Sequence, residues 1–433
     1  MSGVPGAVLA SRTVDPVRLL SGLDHPNGTV SYSEHLHRHG PLPARTTRAA
    51  DPALLTMVEH SGLLGRGGAG FPTGRKMRAV AAGAGRPVVV ANGMEGEPAS
   101  HKDAVLLGRL PHLVLDGIVL AARAVGATDG YLCVHSGSST LPVVRRALAE
   151  RDQRADGVRI GIEEVPARYV SSEASALVHW LDGGPALPLF SPRPHERGVG
   201  GRPTLVQNAE TLANVAMIAR HGSGWLRAVG TPEEPGSLLV TVGGPVARPG
   251  VVEVAAGTPI GDVLALAGFE PHRASAVLVG GYFGGWLPVG AALPLPLSHA
   301  GLRSVGLGLG AGVLVALPAE ACGLVESARV AGYLAEQSAG QCGPCRYGLP
   351  AIAGALAKVA RGEADPSAVA AIERWSSLVD GRGACRLPDG AVRFVVSALR
   401  TFHADVARHT RWGRCTGTGH PPVLPIPGAG PGR

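Results

Sequence analysis

The strongest constraint on the fold of this chain is an alternation of strand-length apolar runs with helical ones between Pro87 and Val165. Pro87 to Ala91 (PVVVA), Tyr131 to Val134 (YLCV) and Val158 to Val165 (VRIGIEEV) have the length and β-branched content of strands. Between them, Pro111 to Val125 opens on proline and aligns Val114, Ile118 and Ala121 along one stripe, and Thr140 to Arg151 reads as a second helix. Such a βαβαβ run forms a parallel, doubly wound sheet whose ligands lie beyond the carboxyl ends of its strands. Asn92-Gly93-Met94-Glu95-Gly96-Glu97 follows the first strand directly, where a ligand is expected.

A second unit begins near Gly236. Leu238 to Val242 and Val251 to Val254 are strand-like, Thr258-Pro259 opens a helix that ends at Gly268, and Ala276 to Val279 and Val313 to Ala316 add strands. Past Pro318 the strand signals stop. Cys322 to Glu336, Pro350 to Val359, Ser367 to Val379 and Asp389 to His409 read as the helices of a small bundle. Residues 1 to 50 read as an extended arm, with His35, His37 and His39 in a solvated loop, and the glycine- and proline-rich stretch from Gly413 to Arg433 as a disordered tail.

At 433 residues and 45% hydrophobic content the chain can bury several cores. No run of about 18 apolar residues escapes interruption by charge, glycine or proline, and Met1 to Arg12 lacks the order of a signal peptide, so a cytoplasmic protein without direct membrane insertion is expected. The net charge of +7 is scattered and aromatic content is only 4%, so no nucleic-acid platform is visible; the charge suits an acidic protein partner or an anionic cofactor. The six cysteines are too few for a disulfide framework, and Cys133 reads as a buried strand thiol.

Gly65-Arg66-Gly67-Gly68-Ala69-Gly70 satisfies G-x-G-x-x-G, but Ala53 to His60 before it reads as helix, so the dinucleotide fingerprint fails. Gly74-Arg75-Lys76-Met77 lacks the hydroxyl residue of a P-loop. What survives is either an ordinary glycine turn or a loop whose backbone N–H groups form an anion nest, with Arg66, Arg75 and Lys76 adding charge. Asn92, Glu95 and Glu97 offer acceptors to a ribose, a ribityl chain or a ring N–H. Together with Tyr169-Val170-Ser171-Ser172-Glu173 and Gln207-Asn208-Ala209-Glu210-Thr211 they outline a polar cleft of cofactor size. Cys342-Gly343-Pro344-Cys345 and Cys385 supply three soft ligands, leaving an iron–sulfur cluster, zinc and unligated thiols open.

These segments also resemble a known family. Gly65 to Lys76 (GRGGAGFPTGRK), Asn92 to Asp103 (NGMEGEPASHKD), Tyr169 to Leu177 (YVSSEASAL), Arg202 to Val215 (RPTLVQNAETLANV) and Ser338 to Arg346 (SAGQCGPCR) fall in the order shown by the NADH-oxidising, FMN-carrying F subunit of bacterial respiratory complex I and by related soluble hydrogenases and formate dehydrogenases. The resemblance spans about residues 50 to 410. It implies a flavodoxin-like α/β domain over 51–228, a ubiquitin-like β-grasp domain of SLBB type over 236–317 and a four-helix bundle over 320–411 that holds one 4Fe-4S cluster, between the arm 1–50 and the tail 412–433. It places FMN against Gly65, Arg66, Gly67, Gly68, Lys76, Asn92, Tyr169, Glu173, Asn208 and Thr211, NAD(H) near Phe71 and Glu97, and the cluster on Cys342, Cys345 and Cys385.

The implied activity is hydride transfer from NADH to FMN and delivery of electrons through the cluster to quinone or ferredoxin-type acceptors. Implied partners are a thioredoxin-like 2Fe-2S protein or a ferredoxin, together with other complex I-type subunits that would make the chain peripheral to a membrane. The chain departs from the family pattern at Ala339, where the first cluster cysteine is expected. Either Glu336, Gln337, Gln341 or Cys322 completes the site, or the centre is three-iron, labile or absent. Met94, Ser172, Ala174 and Gln207 also depart from the pattern, and Ala79 and Arg193 stand near positions that clasp adenine. Ala79, Ala174, Arg193 and Ala339 motivate a competing expectation, a degenerate, non-catalytic paralogue with a structural or regulatory role; a further alternative is a structural zinc site built from the three cysteines and His403.

Overall fold

The computed structural model describes residues 18–21, 23, 28–44, 50–190, 192–364 and 367–428. Four strands, β1 (Val88–Asn92), β2 (Asp129–His135), β3 (Arg159–Val165) and β4 (Thr204–Asn208), run parallel in the order β3-β2-β1-β4. Around them lie α1 (Tyr32–His39), α2 (Pro52–Ser61), α3 (Thr73–Ala81), α4 (Lys102–Arg109), α5 (Pro111–Val125), α6 (Leu141–Ala149), α7 (Ala174–Leu181) and α8 (Ala209–His221). Side-chain parity explains why the strands read as unbroken apolar runs. Val89 and Ala91 enter a core shared with α5 and α8, while Val88 and Val90 enter a second core with Leu177 of α7, so both faces are buried. Gly117 lets α5 and α8 touch, because a Cβ there would lie 2.1 Å from the Leu212 carbonyl oxygen.

The N-terminal region corrects the extended-arm expectation. Ser31 caps α1 by accepting the Glu34 N–H at 3.3 Å, and the His35 ring is buried with Nε2 2.8 Å from Asp116 on α5. Asp116 also meets Arg151 at 2.7 Å and Arg220, and a buried carboxylate needs such partners. The turn of α1 therefore folds onto the sheet unit to complete an ion cluster that period alone does not reveal. Leu19 and Leu20 are buried as well, donating their N–H groups to the Glu253 carboxylate at 3.1 and 2.8 Å. Residues 1–17 of the expected arm lie outside the described residues.

The second sheet contains β5 (Ser237–Gly243), β6 (Gly250–Ala255), β7 (Ala274–Val279), β8 (Gly285–Pro288) and β9 (Val313–Pro318), ordered β6-β5-β9-β7-β8. Its one parallel pair joins β5 to β9 across α9 (Ile260–Leu266), which is the β-grasp arrangement. Ile260, Val263 and Leu264 of α9 pack on Leu238, Val240 and Leu314.

C-terminal to it stand α10 (Gly323–Glu336), α11 (Leu349–Arg361), α12 (Ser367–Val379), α13 (Leu387–Thr401) and α14 (His403–Trp412). The expected helix from Asp389 to His409 breaks at Phe402, whose ring is seated on Gly323; a Cβ on that glycine would come within 2.2 Å of the ring. The disordered-tail expectation is corrected too. Leu424 is buried, its N–H donates to Glu326 at 2.9 Å, and the Pro425 carbonyl accepts from the Tyr282 hydroxyl. Proline and glycine here mark an extended strap held by side chains, not an unfolded segment; residues 429–433 lie outside the described residues. Among the described residues no single helix is long and apolar enough to cross a membrane, and the bent pair α4–α5 belongs to the core.

Candidate functional site

The chain leaves β1 toward β2 on one side, and β4 returns on the other, so the sheet has its topological switch point between β1 and β4. Asn92 and Asn208 face each other in register at the carboxyl ends of these two strands. The glycine loop is fastened to that edge. Arg66 N–H donates to the buried Thr211 hydroxyl at 2.9 Å, Gly65 N–H to the Phe71 carbonyl at 2.9 Å, and a Cβ on Gly67 would be 3.4 Å from Asn208 Cβ. The N–H groups of Gly67, Gly68, Ala69 and Gly70 find no acceptor among the described residues. Gly68 has φ +102° and its missing Cβ would stand 3.0 Å from the Gly310 oxygen, so the loop needs glycine for its conformation and for its approach to the grasp sheet.

The cations expected around this loop divide. Arg66 turns its side chain behind the loop, buried, with Nη2 donating to the Pro235 carbonyl at 3.1 Å. Burial lowers its pKa, and Glu210, Glu234 and Glu253 oppose that. Arg66 therefore joins the loop to the start of the grasp unit. Lys76, on α3, donates to the Val206 carbonyl of β4; burial pushes its ammonium down to about 8, against the pull of Glu173. Phe71 is 51% exposed with the Arg75 guanidinium 5.8 Å from its ring centre, leaving an aromatic face at the rim.

The carboxylates divide as well. Glu95, at φ +42°, accepts the Asp103 and Ala104 N–H groups, each at 2.9 Å, and the Ser100 hydroxyl at 2.8 Å. It caps α4 from outside, and burial beside Asp103 raises its pKa to about 7. Glu97 accepts from Tyr282 N–H at 2.8 Å, Ala99 N–H at 3.2 Å and the Tyr169 hydroxyl at 3.0 Å; burial raises it, too, to about 7. Glu173 caps α7 through Oε2, which takes the Ser175 N–H at 2.8 Å, the Ala176 N–H at 3.3 Å and the Ser175 hydroxyl. Asn92 Nδ2 donates to the Ser172 carbonyl at 2.7 Å.

Sequence reasoning missed a buried lysine. Lys102 Nζ lies 3.0 Å from Asp103, 3.0 Å from Glu210 and 3.2 Å from Asn208 Oδ1, while Asn208 Nδ2 donates to Asp103 at 2.6 Å. The Asp103 and Glu210 charges outweigh burial and raise its pKa, so it is a fixed cation beneath the cleft. A small hollow lies among Arg66, Gly68, Lys102, Glu210, His299 and Gly310. The signal was present in Ser100-His101-Lys102-Asp103, but a lone lysine beside an aspartate reads as a surface pair until the fold buries it.

The cysteines lie across the Tyr169 turn. Cys342 and Cys345 flank the start of a π-helical turn, Pro344–Gly348, and Cys385 precedes α13. Burial acts to raise the Cys342 pKa, but N–H donation from Ala384 and Cys345 and the Cys345 thiol reverse the sign and leave it below the ordinary value. Cys345 is pushed up to about 12 by burial and by Cys342 and Cys385. The three thiols thus share one neighbourhood. Tyr169 N–H donates to Gln337 Oε1 at 3.0 Å and Arg168 to the Ser338 carbonyl at 3.1 Å, so the cleft's second loop clasps the residues just before Ala339. Glu173 is near enough to raise the Cys385 pKa, burial being the larger cause. Cys322 sits elsewhere with His409 and Cys415, and His403 is exposed with its ring on the Arg400 carbonyl, so neither completes the trio. Met94 is buried in the core beneath the cleft.

Comparison with known proteins places this geometry. Residues 58–217 match the family described as Nuo51 FMN-binding domain, 239–281 the SLBB domain, and 326–409 the NADH-ubiquinone oxidoreductase-F iron-sulfur binding region. Over 418 residues the chain is 30% identical to the second NADH-quinone oxidoreductase F subunit of Rhizobium meliloti (strain 1021), covering 93% of this chain and 99% of the relative. The chain belongs to the NADH-quinone oxidoreductase F-subunit family. Another F-subunit member, from Streptomyces coelicolor (strain ATCC BAA-471 / A3(2) / M145), is 30% identical over 387 residues and 84% of either chain. Among solved structures, the NAD+-reducing NiFe hydrogenase in its H2-reduced state superposes with a TM-score of 0.78 at 32% identity, over 89% of this chain and 68% of that one. The F-subunit likeness thus spans all the units expected from the sequence: parallel sheet, SLBB domain and C-terminal helices.

Proposed function

We propose that the chain is an NADH-oxidising flavoprotein of the F-subunit family that passes electrons to an iron–sulfur centre. The observation that carries this reading is the row of unpaired N–H groups from Gly67 to Gly70 at the switch point of a parallel sheet, clasped through Tyr169 to a three-cysteine neighbourhood. Held in this cleft, FMN would supply the conversion between two-electron hydride acceptance and one-electron release. The chain's residues hold and shape the site. Gly65, Gly67 and Gly68 give the loop its close approach; Thr211 and the Arg66 backbone pin it; Lys76 supplies the charge for a phosphate. Asn92 and Asn208 are each held in place through both amide atoms and shape the polar floor for a polyol, and Glu173 keeps Oε1 available while Oε2 caps α7. Phe71 provides an exposed ring for a nicotinamide nucleotide, while Glu97 and Tyr169 set the wall of the cleft. Glu95 acts indirectly, by holding α4 and the loop before it.

Cys342, Cys345 and Cys385 would hold the cluster. Three thiolates with N–H donation onto Cys342 suit three corners of a cuboidal iron–sulfur centre, and Ala339 offers no fourth. Gln337 has its amide oxygen engaged by Tyr169. A three-cysteine centre is therefore the favoured reading. The relatives are subunits of larger enzymes, and a thioredoxin-like 2Fe-2S protein or a ferredoxin is the proposed partner, with the chain on the cytoplasmic side. The division at 51–228, 236–317 and 320–411 follows the two separate sheets and the helical set. Full-length protein reconstituted without oxygen should bind one FMN and lose flavin absorbance on adding NADH; protein that takes up no FMN overturns the reading.

A further inference from the structure

We propose that this chain carries a second metal site, separate from the three-cysteine centre: one tetrahedral divalent ion of zinc type bound by Cys322 Sγ, His409 Nε2 and Cys415 Sγ, with water in the fourth position. These three ligand atoms lie within 4.8 Å of one another. Cys322 Sγ is 3.4 Å from His409 Nε2, and the Cys322 and Cys415 thiols are in hydrogen-bond contact. Zinc bonded to sulfur at about 2.3 Å and to imidazole nitrogen at about 2.0 Å holds those two atoms about 3.5 Å apart, so the ligands already span a tetrahedral edge.

The residues are built in from three elements. Cys322 is the N-cap of α10, where the Val325 N–H reaches its sulfur at 3.5 Å. His409 comes from the last turn of α14 and has no solvent exposure. Its Nδ1 finds no hydrogen-bond partner, so a fully buried imidazole rests on one weak contact to sulfur; hydrogen bonding within the protein does not account for the ring's placement. Cys415 comes from the C-terminal strap and is half-buried, which leaves a path for water to the open position. Thr418 stands behind it with Oγ1 3.7 Å from Cys415 Sγ.

Binding converts both thiols to thiolates, with two protons released to solvent for each ion bound. Its effect is to staple the strap. Gly417 passes over Glu320 and Cys322 so closely that a Cβ would meet backbone at 2.5 Å, and beyond it Leu424 and Pro425 dock on Glu326 and Tyr282. The soft, small donor set excludes calcium and magnesium, which require oxygen ligands.

The test uses the full chain, stripped with chelator without oxygen and titrated with Co2+ and Zn2+, in parallel with Cys415→Ser and Cys385→Ser. The wild-type chain and Cys385→Ser should each show thiolate-to-cobalt charge-transfer absorption with tetrahedral ligand-field bands and bind zinc at this site. In the Cys385→Ser background, adding Cys415→Ser should lose that spectrum and weaken the affinity by at least tenfold. Zinc should also slow hydrogen exchange of residues 415–428 in the wild type and not in Cys415→Ser. Tetrahedral cobalt that survives Cys415→Ser but vanishes in Cys385→Ser would assign the metal to the other trio and overturn the proposal, as would hydrogen exchange of the strap that ignores zinc. Neither outcome touches the flavin reading, which stands or falls on FMN uptake.

Discussion

Lys76 gives the sharpest test of how the cleft holds a flavin phosphate. Its ammonium is pushed down from 10.5 to about 8 by burial, an interval worth about 3 kcal/mol at roughly 1.4 kcal/mol per pH unit. A phosphate at the glycine loop would relieve that cost by pairing with the charged form. Below pH 8 the lysine is already protonated, so FMN affinity should be flat from pH 7 to 7.5. Above about 8 the free protein has lost the proton and must regain it on binding, so Kd should rise toward about tenfold per pH unit until the lysine of the complex itself titrates. The sign for stability is opposite. Between about 8 and 10.5 the unfolded chain binds a proton that the folded, flavin-free chain does not, so stability gains with pH in that window and bound FMN cancels the gain. Flavin fluorescence quenching across pH 7 to 10 measures the slope. Lys76→Gln should abolish the slope and weaken FMN at pH 7 by about 10- to 100-fold, the worth of a charge-assisted hydrogen bond. Riboflavin, lacking the phosphate, should bind the wild type with no slope. A wild-type Kd that stays flat to pH 9.5, or riboflavin that follows the same curve as FMN, would refute the assignment.

Other expectations follow from the same geometry. Gly68→Ala forces a Cβ against the Gly310 carbonyl at φ +102°, so it should cost about 1–3 kcal/mol in chemical denaturation and lose FMN. Gly67→Ala, which meets only Asn208 Cβ at 3.4 Å, should keep its stability and lose flavin affinity alone. Glu97, raised by burial from 4.5 to about 7, binds its proton more tightly folded than unfolded, so the fold loses stability as pH climbs through that interval. Glu97→Gln should flatten the decline in urea titrations between pH 4.5 and 7. Ala339→Cys should raise the iron content of reconstituted protein from about three toward four atoms per chain, read by iron and sulfide analysis; unchanged iron would place Ala339 away from the centre.

Much of the architecture was legible because it rests on local signals. Proline and the apolar stripe fixed α5 to the residue, and β-branched runs located β1, β2 and β3 to within a few positions. β4 escaped as a strand because Thr204–Asn208 ends in Gln207 and Asn208, and its reason for being extended is β1, far back in the chain. At the site, the motifs placed the correct loops at the switch point but not the direction of their side chains. Arg66 turns toward Pro235 because three carboxylates surround that pocket, and Glu95 turns onto the bare N-terminus of α4, where His101 supplies no cap. The strap fooled composition for a related reason. Glycine and proline there serve close passage over Cys322 and an extended path to Tyr282, and both needs are set by residues distant in sequence.

The clasp between Tyr169 and Gln337, backed by Arg168 on Ser338, carries a kinetic consequence. Electron tunnelling falls off exponentially with separation, so a gap that breathes by an ångström changes the hop severalfold, while one that is held fixed gives a single rate. Two hydrogen bonds at 3.0 and 3.1 Å tie the proposed flavin cleft to the cysteine loop. The clasp would thereby set the timing of the wire: whatever partner took the electron next, the length of the first jump would be governed by the backbone of Tyr169.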